Sequence, residues 1–147
     1  MAGKTIEFRF TGTEQLVAKF KELSESARRE IATPAAKDAM EIVLNDATDR
    51  AYRLDDPKTR SVVAKNVTMI ERKAIGRETG TVIFSVGVRT KGRQPGGRTF
   101  WWYYLELGTE HARAHPFLRP ALWNNRVEVF QEFISSAKYQ LLRLGVF

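Results

Sequence analysis

Residues 100–122 read FWWYYLELGTEHARAHPFLRPAL, and this stretch decides how the second half of the chain folds. Five consecutive aromatic residues lead into a Gly-Thr turn and then into a Pro-Phe-Leu-Arg-Pro sequence, which is typical of the start of a helix. Consecutive side chains point in different directions on a helix or a strand, so the five aromatics cannot all face one core. Some of them must contact another layer of the fold, a neighbouring subunit or a ligand.

The composition of the whole chain favours one domain. A length of 147 residues with 43% hydrophobic residues is enough for one ordinary core, so we expect a single domain over residues 1–147. Because the chain has no cysteine, disulfides, thiolate metal sites and cysteine nucleophiles are excluded, and a reducing compartment is the natural expectation. The first ten residues alternate polar and apolar types, unlike a signal peptide, and no stretch approaches transmembrane length. We therefore expect a soluble protein with no membrane partner.

The positive charge is concentrated in the middle third of the chain. Residues 50–98 hold 12 Lys and Arg against 4 Asp and Glu, whereas the remainder holds 12 against 13. A localised basic field attracts nucleic acid or an acidic protein surface. The same pattern also fits a solvated face, and the sequence leaves the choice open.

The first 31 residues predict a strand followed by a helix. Residues 4–11 place Ile6, Phe8 and Phe10 at alternate positions, the pattern of a half-buried strand. Thr13 can cap the helix after it. The apolar stripe of that helix recurs at spacings of three and four: Leu16, Phe20, Leu23, Ala27 and Ile31.

A second helix is predicted to follow a break at Thr33 and Pro34, because threonine is a good N-cap and proline is favoured at the first helical position. This helix should run to about Leu54. Half of its apolar residues are alanines, which permits close approach to another helix or to a sheet.

The next elements form a hairpin. A strand is expected from Val67 to about Ala74, then a loop over residues 76–80, then a strand over residues 82–88, whose strict alternation is the clearest strand signal in the chain. A long final helix opens at or near Pro116. Its stripe ends near Gly145 and consists of Val127, Phe130, Ile134, Ala137, Leu141 and Leu144, with Phe133 and Tyr139 off the stripe.

These elements together predict an α+β fold. A small, mostly antiparallel sheet, made of the N-terminal strand plus the hairpin, packs against two N-terminal helices and a long C-terminal helix.

Residues 89–99, RTKGRQPGGRT, are predicted to form a flexible, basic, glycine-rich loop that contributes nothing to a core. Two interpretations stay open: a solvated surface loop, or an arm that becomes ordered on a partner.

No catalytic or cofactor site is predicted. His111 and His115, with Glu106 and Glu110 nearby, have a spacing that could hold a metal on a continuous helix. Pro116 argues against this, because a residue before proline is disfavoured in helical geometry. No serine has the context of an activated nucleophile, and no glycine loop has the ending that cradles phosphate. A metalloenzyme using His111 and His115 is therefore only the third hypothesis.

The pattern YLELGT at residues 104–109, followed by AHPFLRPA at residues 114–121, resembles the signature of one phage family. The chain resembles the gene-product-10-like tail components of long-tailed bacteriophages and prophages, a family that includes minor tail protein Z and tail-completion proteins. The order of the elements fits as well. One stretch departs from the family pattern: residues 57–63 read PKTRSVV, where members often have Thr-Gly-x-Leu-Arg-x-Ser.

The resemblance implies a non-enzymatic virion protein of the head–tail junction, a tail-completion, terminator or neck component without a cofactor. Such a protein is made in the bacterial cytoplasm and assembles into a ring of about six copies. Its partners are its own copies and the connector, stopper or tail-tube proteins. A nucleic-acid-binding module that uses residues 50–98 is the alternative.

The same resemblance suggests roles for individual residues. Trp101, Trp102 and Tyr103 divide between core and subunit interface, while Arg89, Lys91, Arg93 and Arg98 of the loop contact a neighbouring ring or DNA in the lumen. Gly108 permits a tight turn, Pro116 starts the last helix, Phe117 and Leu118 anchor it, and Arg119 reaches Glu106. The structural motif consists of Tyr104, Glu106, Gly108, Thr109, Pro116, Phe117, Arg119 and Pro120.

Overall fold

The computed structural model describes residues 13–146 and confirms an α+β fold. Within those residues six helices accompany one two-stranded antiparallel sheet. The predicted N-terminal strand lies outside the described residues. The elements are α1 (Glu14–Glu22), α2 (Glu25–Leu54), β1 (Val67–Glu71), α3 (Lys73–Thr79), β2 (Phe84–Val88), α4 (Trp102–Leu107), α5 (Leu118–Asn124) and α6 (Arg126–Arg143).

The break between the first two helices lies ten residues earlier than predicted. The chain leaves α1 at Leu23, and the Ser24 side chain accepts a hydrogen bond from the Ala27 N–H as the N-cap of α2. The predicted break at Thr33 and Pro34 is wrong, because α2 continues through both residues. Ile31 and Ala35, on either side of the proline, are fully buried in a cluster with Leu141. This packing stabilises a helix that Pro34 locally disfavours.

α2 is the central element of the molecule. Its buried side chains recur every fourth residue, and most of them are alanines, so the helix approaches both the sheet and α6 closely. The Ser136 hydroxyl donates to Asp38 at 2.7 Å, and the Asn125 side chain donates to Asp46 at 2.7 Å. The buried face consists of Ile31, Ala35, Ala39, Val43, Ala47 and Ala51.

The predicted hairpin is confirmed, with Val67 opposite Val88 and Glu71 opposite Phe84. Its strands are shorter than predicted, because β1 ends at Glu71 rather than at about Ala74 and β2 begins at Phe84 rather than at residue 82. The predicted loop at residues 76–80 is wrong, because most of it belongs to α3. Gly80, with φ of +67°, ends that helix, and the Thr81 N–H donates to the Gly76 carbonyl. Glycine and a short polar sequence favour a turn locally, but this backbone capping lets the connection close as one helical segment.

The predicted last helix is divided at Asn125 into α5 and α6. Ala137 and Leu141 are fully buried as predicted, and Ile134 packs beside them. Three other residues of the predicted stripe are exposed, and Val129, which is not on that stripe, packs on α2 instead: the exposed residues are Val127, Phe130 and Leu144. Phe133, predicted to lie off the stripe, packs against the same core cluster.

Candidate functional site

The motif of residues 104–121 forms a clamp between α4 and α5. Glu106 is 5% exposed, and its Oε2 accepts hydrogen bonds from the N–H groups of Phe117 at 2.8 Å and Leu118 at 3.0 Å. Its Oε1 accepts from the backbone N–H of Arg119 at 3.0 Å and from Nε of the same residue at 3.1 Å. The Arg119 Nη2 also donates to the Glu106 carbonyl at 2.7 Å. The predicted pairing of Arg119 with Glu106 is therefore confirmed, and the carboxylate also caps the start of α5.

Two opposing effects act on the Glu106 carboxyl. Burial alone would raise its pKa, but hydrogen bonds from the N–H groups of Leu118, Phe117 and Arg119, and from the Arg119 guanidinium, outweigh burial and lower the pKa below its ordinary value. The ionised form is thus the one that the clamp stabilises.

The backbone of the turn between α4 and α5 is fixed by a glycine and by hydrogen bonds within the turn. Gly108 has φ of +75°, and a Cβ at this position would lie 2.8 Å from the Ala114 nitrogen, so the expectation that a side chain would hinder the turn is confirmed. The Thr109 hydroxyl accepts from the Ala112 N–H at 2.9 Å, and the His115 N–H donates to the Leu105 carbonyl at 2.7 Å. The turn and the Glu106 cap together fix the position of α5 relative to α4.

The two prolines of the motif lie at the start of α5. Pro116 precedes the helix by two residues, and Pro120 lies in its first turn, where a missing N–H costs no intrahelical hydrogen bond. Phe117, between them, is fully buried against Ala51 and Val63. Its predicted role as an anchor is confirmed.

The aromatic run divides between the interior and the surface. Trp101 and Trp102 are half-buried and pack against the cluster that contains Phe117. The exposed large side chains are three and four residues apart, which places those within α4 on one side of that helix, and Phe100 lies in the turn just before it. We call this face the aromatic surface: Phe100 (63% exposed), Tyr103 (38%), Tyr104 (47%) and Leu107 (65%).

The two tyrosines of the aromatic surface contact each other, with ring centroids 4.2 Å apart. A hydrogen bond with Tyr104 raises the pKa of Tyr103 above its ordinary value. Both tyrosines are exposed, and each carries an apolar ring and a polar hydroxyl.

The basic loop is anchored at its second half. The Asn66 side chain is buried and donates to the Gly97 carbonyl at 2.8 Å and to the Thr99 hydroxyl at 2.7 Å, while it accepts from the Gly96 N–H at 2.9 Å. Gly96 and Thr99 are buried, so the expectation that nothing in this loop contributes to the interior is wrong for these two residues. A Cβ on Gly96 would lie 1.9 Å from the Val62 carbonyl oxygen, which explains how the loop can pack so closely.

This anchoring brings two basic segments together. Residues 58–65 contact the loop through Val62 and Ser61, so the cations of both segments share one region of the surface. All seven are exposed, and none forms an ion pair with a residue in the range 13–146. We call this group the basic surface: Lys58, Arg60, Lys65, Arg89, Lys91, Arg93 and Arg98.

We also looked for a metal site and for membrane-spanning helices in the part of the chain that the structure describes. His111 and His115 are both exposed, and no group of three His, Asp or Glu residues in this part is arranged to hold a metal ion. None of its helices is both long enough and apolar enough to span a membrane.

Sequence reasoning placed three interface candidates at Trp101, Trp102 and Tyr103, and the structure leaves only Tyr103 exposed. It did not identify Phe100 and Leu107, although their spacing from Tyr103 and Tyr104 is that of one helical face. The buried anchor Asn66 was also missed, because hydrogen bonds to residues about thirty positions away leave no local signal.

The chain was also compared with known proteins. No family model, no curated protein and no solved structure matches it.

Proposed function

We propose that this protein is a structural virion component of the head–tail junction of a long-tailed bacteriophage, a tail-completion, terminator or neck protein that assembles as a homo-oligomeric ring. The observation that carries the proposal is the aromatic surface, which is displayed by the same motif that resembles the phage family. The Glu106 clamp belongs to the same helix, α4, as three of the four residues of that surface. The proposal therefore rests on the sequence resemblance and on the exposed aromatic surface that the resembling motif carries.

The aromatic surface has the chemistry of a subunit contact. Its large side chains are exposed, the two tyrosine rings contact each other, and Phe100 and Leu107 are the most exposed of the four. Exposed apolar patches of this kind mark interaction sites, and aromatic residues are enriched at the centres of interfaces. Because the clamp fixes α4 relative to α5, little conformational freedom would be lost when the surface is covered.

A ring requires each subunit to present two different patches, one to each neighbour. The aromatic surface supplies one of them. A second exposed apolar group lies on α5 and α6, where Leu122 is 51% and Trp123 is 54% exposed, with Arg126 stacked 4.0 Å from the Trp123 ring centroid. We expect the aromatic surface of one subunit to contact this group on the next.

The basic surface fits the same role and also supports the alternative function. Seven exposed cations without a described acidic partner would line a channel for DNA, or would bind nucleic acid in a monomeric module. The two functions differ in oligomeric state. A ring component assembles as its concentration rises, whereas a nucleic-acid-binding module stays monomeric and binds DNA with a strong salt dependence.

The experiment compares the unmodified chain with the double variant Phe100→Ser/Tyr104→Ser by sedimentation velocity and negative-stain electron microscopy. The matched control is Ile75→Ser/Tyr139→Ser, which removes two side chains that are 50% and 63% exposed on α3 and α6. We expect rings for the unmodified chain and the control, and monomers of unchanged thermal stability for the aromatic-surface variant. An unmodified chain that stays monomeric at every concentration yet binds arbitrary DNA at micromolar, salt-dependent affinity would refute the ring.

The role of the basic loop is tested in a phage that encodes this protein, by the substitutions Lys91→Gln/Arg93→Gln. Substitution is preferable to deleting residues 91–97, because Gly96 and Gly97 belong to the anchored half of the loop. Particles that assemble heads without attached tails are the expected result. Normal yields of infectious particles would show that the loop has no part in joining.

A further inference from the structure

The aromatic surface is too small to hold two subunits together by itself. Its four residues are between 38% and 65% exposed. Since a large aromatic side chain buries about 150–250 Å², the surface offers roughly 400 Å², whereas a standard interface buries about 800 Å² on each partner. A subunit contact that uses this surface therefore needs a rim around it, and the rims of protein interfaces are polar.

One cation is held at the border of the aromatic surface. Arg98 lies between Gly97 and Thr99, and the buried Asn66 side chain donates to the Gly97 carbonyl and to the Thr99 hydroxyl. Phe100, the first residue of the aromatic surface, follows directly. The backbone of Arg98 is therefore fixed on both sides, next to the apolar contact.

A second cation, Arg60, joins Arg98 at this border. The Val62 N–H donates to the Gly96 carbonyl at 2.6 Å, and the Arg60 carbonyl oxygen lies 3.8 Å from the position of a Cβ on Gly97. The two backbone segments therefore run side by side. Both arginines are exposed, and neither forms an ion pair within residues 13–146, so we call them the edge arginines.

The apolar group that should receive the aromatic surface has two acids beside it. Exposed apolar side chains continue from Leu122 and Trp123 to Val127, which is 37% exposed at the start of α6. We call these three residues the α5–α6 patch. Glu128 follows directly, and Glu132 lies four residues further on, so both acids are on one side of α6.

These two acids, the edge glutamates, lack an opposite charge in the described part of the subunit. Glu128 and Glu132 are exposed, and neither pairs with a cation among residues 13–146. Like charges four residues apart on a helix repel each other. Two cations brought by another molecule would offset this repulsion, and the edge arginines are two cations in the same situation.

We propose that the edge arginines of one copy form ion pairs with the edge glutamates of the next copy, at the rim of the contact between the aromatic surface and the α5–α6 patch. The pairing rests on the proposed function, because it orients the same subunit contact. It places cations around one patch and acids beside the other, so two identical patches repel and only the head-to-tail contact of a ring is favoured. Lys91 and Arg93, in the other half of the loop, are left for DNA.

Charge reversal tests the pairing through two variants, Arg60→Glu/Arg98→Glu and Glu128→Lys/Glu132→Lys. Each variant alone places like charges across the contact, so sedimentation velocity should show assembly only at a concentration at least tenfold higher than for the unmodified chain. In an equimolar mixture every contact between unlike variants again joins opposite charges. The mixture should therefore assemble at nearly the concentration of the unmodified chain, in rings that alternate the two variants.

The matched control is Lys73→Glu/Arg77→Glu on α3. Each substitution changes the charge by two units, so this pair lowers the net charge of +7 by the same four units as reversal of the edge arginines. The control should assemble like the unmodified chain. An equal loss of assembly in the control would assign the effect to net charge and overturn the pairing.

Salt gives a second measurement that needs no variant. Raising sodium chloride from about 0.1 M to about 1 M shortens the Debye length from about 10 Å to about 3 Å, so assembly of the unmodified chain should weaken. Rings that ignore salt, variants that assemble normally, or a mixture that assembles no better than its components would overturn the pairing and leave the ring in place. An unmodified chain that stays monomeric would overturn both.

Discussion

At the scale of single residues, the Glu106 side chain forms more hydrogen bonds than any other side chain of the motif. Four N–H groups of three consecutive residues, Phe117, Leu118 and Arg119, donate to its two oxygens. The Glu106 carboxylate thus accepts hydrogen bonds from the N–H groups at the start of α5. It also holds the Arg119 side chain, whose Nη2 donates to the Glu106 backbone carbonyl. The motif residues at positions 106 and 119 are best understood as one unit.

We expect Glu106→Gln to lower the free energy of unfolding by about 1–3 kcal/mol, because the amide turns a donor toward donors and removes the charge. Urea denaturation measures the change, with the exposed Glu110→Gln as the matched control. Since folding lowers the pKa of Glu106, its stabilisation is complete above the ordinary range near 4.3 and is lost as pH falls through the lowered value. The difference between the unmodified protein and the variant should therefore shrink on acidification, and a difference that grew would contradict the clamp.

Asn66 is a second residue whose removal should have a local effect. Asn66→Ala leaves the Gly96 N–H and the Gly97 carbonyl without their partner, which should cost about 2–4 kcal/mol and release the anchored half of the basic loop. Trypsin should then cut after Arg98 faster than in the unmodified protein. The exposed Asn124→Ala serves as the control. Equal cleavage rates in the two variants would show that the loop is held by something else.

At the scale of elements, the long helix α2 passes through a proline. Pro34 cannot donate to the carbonyl of residue 30, and an interior proline costs a helix about 3 kcal/mol relative to alanine. Proline also restricts the unfolded chain, which offsets up to about 1 kcal/mol. We therefore expect Pro34→Ala to raise the free energy of unfolding by about 2 kcal/mol, measured by thermal denaturation followed by circular dichroism. The neighbouring Thr33→Ala should change it far less, and a destabilised Pro34→Ala would mean that the proline shapes the contact with α6.

The same helix shows what a sequence can and cannot predict. The alanine-rich period of α2 and the alternation of β2 are local patterns, and both elements were predictable from them. The uninterrupted passage through Pro34 was not, because it depends on Ile31 and Ala35 packing against residues more than a hundred positions away. The connection through α3 was missed for a similar reason, since Gly76 suggested a loop and only the backbone bonds of Gly80 and Thr81 close it as a helix.

The features of the candidate site also differ in whether the sequence could predict them. The Glu106–Arg119 pair and the turn at Gly108 could be predicted because their partners lie within about a dozen residues. The sequence predicted that the five consecutive aromatics cannot all face one core. It could not predict which of them are exposed. The half-buried Trp101 and Trp102 are set by Phe117, whose position depends on α5 and on the sheet.

At the scale of the whole molecule, the hairpin separates two groups of cations. The basic surface adjoins the end where Asn66 pairs with Arg89, and α3, with Lys73 and Arg77, lies at the opposite end. Replacing either pair of cations by glutamine lowers the net charge from +7 by the same two units. A comparison of variants at the two ends of the hairpin can therefore distinguish a DNA contact at one place from a general attraction of a basic protein to DNA.

We expect Lys91→Gln/Arg93→Gln to make the logarithm of the DNA-binding constant less steeply dependent on the logarithm of salt concentration by about 2, since each phosphate contact contributes about 0.9 to that slope. Lys73→Gln/Arg77→Gln removes the same charge from the other end of the hairpin and should leave the slope nearly unchanged. Fluorescence anisotropy with a labelled duplex, repeated at several salt concentrations, gives both slopes. Equal reductions in the two variants would assign the attraction to net charge alone, and the loop would then have no specific place on the DNA.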